Sequence, residues 1–195
     1  MKKIKMFKDQ ADYEKIITPD DVINIIGAKG SGKTTTSYKY GEEENYIVVN
    51  LDRLFESPGE KRENKELPEI RNMLKKKYGT IHDGEDFIQY YNDIISYASS
   101  KKKKLVIEGN SLEDINLRDL KGKVIIKRTA TFKSFIRAVK RDYKDEYFMN
   151  LEKEKHKYLY KITRLYKITK RRIKVFNQVK KLNKMIEQLE GYSNQ

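Results

Sequence analysis

Residues 22–34 read VINIIGAKGSGKT, an apolar run that continues directly into a glycine-rich motif. The run, broken only by Asn24, is typical of a strand that is buried on both faces of a parallel sheet. The motif satisfies the pattern G-x-x-x-x-G-K-[ST]. Its members are Gly27, Ala28, Lys29, Gly30, Ser31, Gly32, Lys33 and Thr34.

The chemistry of this pattern is the binding of a nucleoside triphosphate. Glycines let backbone N–H groups turn inward around phosphates, and the following helix directs its positive N-terminal end at the same anion. Lys33 is expected to reach the β- and γ-phosphates, and Thr34 to place a hydroxyl on Mg²⁺. Thr35 is expected to complete the nucleotide site. An incidental lysine in a glycine-rich turn is the alternative, but a strand before the motif and a helix after it favour ATP or GTP with Mg²⁺.

The rest of the chain alternates apolar strand-like runs with helical stretches, which predicts an α/β fold with a parallel sheet. Strands are expected at residues 22–26, 46–50, 105–108 and 124–127. Helices are expected at residues 33–40, 61–78 and 86–99, with Pro58, Gly59 and Pro68 interrupting the approach to the second. From residue 131 neither Gly nor Pro occurs until Gly191, which predicts almost continuous helix. We therefore expect the three-layer sandwich of P-loop NTPases, with a core at residues 1–150 and a basic helical extension at residues 151–195.

Composition limits the class of protein. The 195 residues include no cysteine, which excludes disulfides and thiolate metal sites and fits a reducing cytoplasm. No apolar run has the length of a signal peptide or of a membrane span, so we expect a cytoplasmic protein that does not bind membranes. The net charge of +14 fits a polyanionic partner, and it fits equally well a genome rich in A and T, whose codons favour Lys, Ile, Asn and Tyr.

The C-terminal extension has an apolar seam. Two seven-residue series, three positions apart, form a heptad pattern, and residues 151–190 hold thirteen Lys or Arg against four Glu. A helix that packs along the domain's own sheet is one interpretation, and a homodimer through the seam is the other. Tyrosines among these cations also suggest nucleic-acid binding, because aromatic rings stack on bases. The seam residues are Leu165, Ile168, Val175, Val179, Leu182, Ile186 and Leu189, and the tyrosines are Tyr158, Tyr160 and Tyr166.

Charged residues follow two of the predicted strands. Asp52 and Arg53 come after the second, in VNLDR, and Glu108 ends the third, in LVIEGN. These sites resemble the nucleotide-kinase and shikimate-kinase-like group of P-loop proteins. The resemblance implies that Asp52 faces the acceptor hydroxyl, with Arg53 holding an anionic acceptor, and that Glu108 lies near the metal with Thr34. The alternatives are an N-cap at Asp52 and a surface glutamate at a strand end.

The fourth predicted strand leads through residues 127–129 (KRT) into a helix with arginines on one face, Arg137 and Arg141. Kinases of the same group close a lid whose arginines neutralise the transferred phosphoryl, and residues 129–150 occupy the corresponding place; ordinary solvated arginines are the alternative. Taken together, the arrangement is most similar to the small kinases described as DNA topology modulation proteins. It is more distantly similar to zeta-type toxins, which phosphorylate nucleotide-activated sugars.

Three functions follow from these patterns. The first is an ATP- or GTP-dependent phosphotransferase acting on a small acceptor, with nucleosides and nucleotides favoured. Its acceptor pocket is expected between the two helical stretches after Asp52 and the lid. The second is a kinase or ATPase that acts on nucleic acid through the basic tail. The third is a nucleotide-gated interaction module without turnover, which would bind nucleotide tightly and associate through the seam.

Overall fold

The computed structural model describes residues 6–8, 10–18, 21–43, 45–55, 66–81, 87–144 and 157–191, and for residues 142–144 and 157–164 only the backbone. Contacts within the chain divide it into two compact units. The first is drawn from Met1–Ala11, Gly27–Ser31 and Arg128–Gln195, and the second from Asp12–Ile26 and Gly32–Lys127. The domain boundary expected at residue 150 lies outside the described residues.

Five strands and six helices can be followed along the described residues. The strands are β1 (Tyr13–Ile16), β2 (Val22–Gly27), β3 (Tyr46–Asn50), β4 (Lys104–Glu108) and β5 (Lys123–Lys127). The helices are α1 (Lys33–Gly41), α2 (Leu51–Leu54), α3 (Glu66–Tyr78), α4 (Phe87–Ser100), α5 (Thr131–Lys144) and α6 (Lys157–Gly191), and a 3₁₀ turn follows β4 at Asn110–Asp114.

The strands form one mostly parallel sheet in the order β1-β5-β2-β4-β3. β4 pairs in parallel with both β2 and β3, and the edge strand β1 pairs antiparallel with β5. From β2 the chain passes to β3 at one edge, returns to β4, and then continues to β5 on the other side of β2. The strand order therefore reverses at β2, and ligands of open α/β sheets bind at the carboxyl ends of the strands at such a point.

The predicted α/β class and parallel sheet are confirmed, and the four predicted strands agree with β2 to β5 within one residue. Strand β1 was not predicted, because this short edge strand contributes little to the core and only alternates half-buried with exposed residues. The single-turn helix α2 was not predicted either. Pro68 was wrongly expected to interrupt the approach to α3: it lies in the first turn of that helix, where a missing N–H costs no hydrogen bond.

The core of the second unit includes a cluster of one buried residue from each of four neighbouring strands: Ile25, Val48, Val106 and Ile125. Helices α1, α3 and α4 pack against these strands. β2 also carries Asn24, which is fully buried. Its amide donates to the backbone oxygen of Lys121 at 2.6 Å and accepts from the Tyr91 hydroxyl at 3.0 Å. Asn24 therefore breaks the apolar run because it fastens β2 to the segment that leads into β5.

Helix α6 belongs to the first unit and packs against α5. Its C-terminal half buries five of the seven seam residues within the chain: Val175, Val179, Leu182, Ile186 and Leu189. Leu165, nearer the start of the helix, is 64% exposed, and Ile168 is half-buried. The C-terminal half of the seam is thus buried within the chain, and the helix contact shown is with α5 and not with the expected sheet. Among the described helices, none combines the length and the apolar character needed to cross a bilayer.

Candidate functional site

The predicted phosphate loop connects the end of β2 at Gly27 with the start of α1 at Lys33. Gly32 is the N-cap of α1, has a left-handed backbone (φ 94°) and supplies no side-chain hydrogen bond to the helix. The first-turn N–H groups of any helix lack intrahelical acceptors, and together with the helix dipole they attract an anion. Thr35, the third residue of α1, is exposed. The loop therefore leads into a helix N-terminus of the kind that attracts anions.

The first five loop residues belong to the first unit, where the segment around α5 packs against them. The Thr129 hydroxyl donates to the backbone oxygen of Ser31 at 3.0 Å. Gly30 lies so close to α5 that a Cβ there would be 2.4 Å from the Ser134 backbone oxygen. Its φ of +87° is also a conformation that residues with side chains rarely adopt. Within the loop, the Ser31 N–H donates to the Ala28 oxygen at 3.0 Å.

Lys33, the lysine of the motif, is 7% exposed. Its ammonium nitrogen donates to Oδ1 of Asn110 at 3.2 Å. Burial lowers the pKa of Lys33 below the ordinary value for lysine, and the nearby carboxylates, Glu108 foremost, oppose this effect without cancelling it. The fold therefore holds a cation in a place where its charge is poorly solvated, and an anionic ligand would relieve that cost.

Glu108 lies beside the motif threonine. Thr34 Oγ1 donates to Glu108 Oε1 at 2.9 Å, and the Asn50 amide donates to the same oxygen. Glu108 is 1% exposed, so the alternative of a surface glutamate is wrong. Burial raises the pKa of Glu108 above the ordinary value for glutamate, while Lys33 and the Thr34 hydrogen bond act in the opposite direction. For both Lys33 and Glu108, burial thus has a larger effect on the pKa than the attraction of the opposite charge nearby.

Asp52 lies in the first turn of α2, directly after β3. Its carboxylate oxygens accept from the backbone N–H and the side-chain amide of Asn110, each at 3.3 Å. Asp52 is exposed, so its carboxylate is open to solvent, whereas Glu108 is enclosed. The N-cap of α2 is Asn50, whose side chain accepts from the Arg53 N–H at 3.0 Å, and the N-cap interpretation of Asp52 is therefore wrong.

Helix α2 is held at its other end by a buried arginine. Arg71 of α3 is 2% exposed. It donates to the backbone oxygens of Leu54 at 3.2 Å and Arg53 at 2.8 Å. Charged donors at the last carbonyls of a helix satisfy groups that have no partner within it. Arg71 therefore fixes the short helix that carries Asp52 and Arg53, the half-buried arginine expected to bind the acceptor.

The two arginines expected in a lid lie on α5 and are exposed. Arg137 is beside the phosphate loop, because a Cβ on Gly30 would be 3.3 Å from the Arg137 Cβ. Arg141 follows one helical turn later. The part of the expected lid that the structure describes thus includes a helix packed against Gly30, while residues 145–150 lie outside the described part.

The donors near the motif suit one hard cation. Thr34 offers a hydroxyl and Glu108 a carboxylate, and Mg²⁺ in phosphate-transferring sites takes only one or two protein carboxylates and receives its other ligands from phosphates and water. No group of three or more His, Asp or Glu side chains with metal-site geometry occurs among the described residues. The hydroxyl of Thr34 and the carboxylate of Glu108 are therefore oxygen donors of the kind that Mg²⁺ accepts.

Several residues of the site were not predicted from the sequence. Asn110 follows the Glu-Gly pair at the end of β4, and Asn50 ends β3. Polar residues at the carboxyl ends of parallel strands indicate a ligand site, so the sequence contained a signal for both. Arg71 and Gln178, whose contact with the loop is described below, lie inside helices and carry no such signal. The acceptor pocket was expected between the two helical stretches after Asp52 and the lid. Residues 56–65, 82–86 and 145–150, in or next to these segments, lie outside the described residues, so the pocket stays a prediction.

No protein-family model matches the chain, and no curated protein matches it.

Proposed function

We propose that this chain is a P-loop phosphotransferase that moves the γ-phosphoryl group of ATP or GTP to a small hydroxyl- or phosphate-bearing acceptor. The observation that carries the proposal lies within the second unit. Thr34 donates to Glu108 at the end of β4 at 2.9 Å. Asn110 accepts from Lys33 at 3.2 Å and donates to Asp52 at 3.3 Å, so it connects these two residues. A buried cation, a buried anion and an exposed carboxylate thus stand at one edge of the sheet.

In this proposal the triphosphate lies on the loop. Lys33 contacts the β- and γ-phosphate oxygens, and the negative phosphates stabilise its ammonium, which burial alone disfavours. The Thr34 hydroxyl and the Glu108 carboxylate would hold Mg²⁺, whose charge neutralises the phosphates when it is bound. The carboxylate of Glu108 then faces a cation that compensates for its burial. Without ligand, the charges of Lys33 and Glu108 are therefore poorly compensated, and the triphosphate with Mg²⁺ would compensate both.

Asp52 is the residue proposed to orient the acceptor. Phosphoryl transfer needs a positioned nucleophile more than a strong base, because its transition state is loose. An exposed carboxylate that is fixed by two hydrogen bonds from Asn110 can accept the proton of an acceptor hydroxyl. Arg53, on the same turn, would hold an anionic group of the acceptor. The preference for nucleosides and nucleotides comes from the resemblance to nucleotide kinases.

Arg137 and Arg141 are proposed to neutralise charge on the transferred phosphoryl. The support is the placement of Arg137 beside Gly30, since this loop is the proposed seat of the phosphates. Arginine suits this role because its guanidinium stays charged and binds two phosphate oxygens at once.

A nucleic-acid acceptor or effector is the second candidate, and one observation favours it. Tyr166 is 64% exposed, and Lys170, Arg172 and Lys174 nearby on α6 are exposed as well. An exposed ring among cations is able to stack on a base. Tyr158 and Tyr160 lie among residues whose side chains the structure does not describe. This candidate predicts binding that weakens steeply as salt is added.

The experiment is a scan for acceptor-dependent release of ADP or GDP from ATP or GTP with Mg²⁺. The acceptors are nucleosides, nucleoside monophosphates, sugar nucleotides and 5′-hydroxyl oligonucleotides. Lys33→Ala serves as the blank, and Lys39→Ala, an exposed lysine of the same helix, as the matched control. Release that rises with one acceptor in the wild type and the control, and disappears in the blank, supports the kinase. Nucleotide binding without turnover for any acceptor would instead support the gated interaction module and refute the kinase.

A further inference from the structure

Gln178 is a polar side chain inside the apolar stripe of α6. It is 8% exposed, and its neighbours along the stripe, Val175, Val179 and Leu182, are at most 1% exposed. A buried amide costs free energy unless it is hydrogen-bonded. Its Oε1 atom accepts the backbone N–H of Lys29 at 3.0 Å. A residue near the end of the chain thus satisfies a backbone donor of the phosphate loop, 149 positions away.

This contact acts on the shape of the loop. Lys29 stands between Ala28, whose carbonyl accepts the Ser31 N–H, and Gly30, which lies against α5. The Lys29 N–H that donates to Gln178 does not serve a phosphate while that bond stands. Gln178 thus contacts the loop through the loop backbone.

We propose that Gln178 is a positioning residue for the nucleotide, and that its bond to Lys29 makes the shape of the phosphate loop depend on helix α6. The inference rests on the proposed function, since it concerns the same loop. A loop held in its binding conformation before the ligand arrives loses less conformational freedom on binding, which raises affinity. Because coupling between two sites is reciprocal, bound nucleotide must also stabilise the packing of α6 at Gln178.

The test removes the hydrogen-bond acceptor of residue 178 and keeps the volume of its side chain. In Gln178→Met the new side chain has a similar length, and its thioether sulfur is only a weak hydrogen-bond acceptor. Gln178→Glu keeps an oxygen at the same distance, and Gln178→Asn is too short to reach. Gln188→Met, at an exposed position of the same helix, is the matched control. Hydrogen exchange of the Lys29 amide is measured without nucleotide, and the Kd for ATP with Mg²⁺ is measured by titration calorimetry on proteins with intact melting transitions.

We expect faster exchange at Lys29 in Gln178→Met and Gln178→Asn, and retained protection in Gln178→Glu and Gln188→Met. The Kd for ATP should rise about fivefold in the first two variants, the factor that corresponds to a hydrogen bond worth about 1 kcal/mol. If Gln178→Met does not fold, Gln178→Asn carries the comparison. Unchanged exchange at Lys29, or unchanged affinity in a variant that has lost its protection, would overturn the inference alone. A wild type that binds neither ATP nor GTP would overturn the proposed function and this inference with it.

Discussion

Replacing Gly30 by alanine tests the packing of α5 on the phosphate loop. The added methyl would lie 2.4 Å from the backbone oxygen of Ser134 and 3.2 Å from the backbone nitrogen of Ala138. Both atoms belong to a helix backbone, which cannot turn aside as a flexible side chain can. Overpacking of this kind costs about 1–3 kcal/mol, and a left-handed backbone adds about 1–2 kcal/mol for a residue with a side chain. We therefore expect Gly30→Ala to lower the free energy of unfolding by about 2–5 kcal/mol.

Gly32→Ala is the matched control. Gly32 has a similar φ of +94°, but a Cβ there would meet no atom of the described residues beyond its chain neighbours within 4 Å. Only the backbone cost of about 1–2 kcal/mol therefore applies. The assay is urea unfolding of both variants without nucleotide, because a change of midpoint at constant slope reports stability alone. The reasoning is refuted if Gly30→Ala proves no more destabilising than Gly32→Ala.

Three further predictions concern the charged residues. Burial lowers the pKa of Lys33, so its ammonium lowers the stability of the nucleotide-free protein at neutral pH. Lys33→Met should therefore raise the melting temperature without nucleotide by a few degrees and abolish the stabilisation by ATP. Lys39→Met should have neither effect. Burial raises the pKa of Glu108. The free energy of unfolding of the wild type, relative to Glu108→Gln, should therefore fall as pH rises from 4.5 towards the raised pKa, with a slope of at most about 1.4 kcal/mol per pH unit. A difference that does not change with pH in urea unfolding would contradict this. Arg137→Ala should lower kcat about 10²-fold in the ADP-release assay, and Lys133→Ala, exposed on the same helix, should leave it unchanged; equal effects would remove Arg137 from the site.

Features that depend on residues close together in the sequence could be predicted from it. The phosphate motif lies between a strand and a helix, as expected, because its glycines and the apolar run before it act locally. Glu108 was expected near Thr34, and the structure joins them by a hydrogen bond. Carboxyl ends of parallel strands meet at one edge of a sheet, so polar residues at strand ends come together whatever lies between them in the sequence.

Contacts between distant helix positions could not be read from the sequence. Arg71 and Gln178 stand in helical stretches where charged and polar residues are common, and nothing local shows that both are buried. The heptad pattern of α6 indicated an apolar stripe correctly, but the same pattern fits a stripe buried within the chain and one shared by two chains. Only the tertiary packing distinguishes these cases, and in the C-terminal half of the helix it buries the stripe internally.

The central claim is that residues 27–34 bind a nucleoside triphosphate, and thermal melting with added nucleotide tests it most directly. A ligand that binds only the folded protein stabilises it by RT ln(1 + [L]/Kd). With Mg²⁺ present, ATP or GTP should raise the melting temperature of the wild type in proportion to the logarithm of its concentration. AMP, which lacks the β- and γ-phosphates, should raise it far less, and Lys33→Ala should lose the effect. Unchanged melting of the wild type at millimolar ATP and GTP would contradict the account.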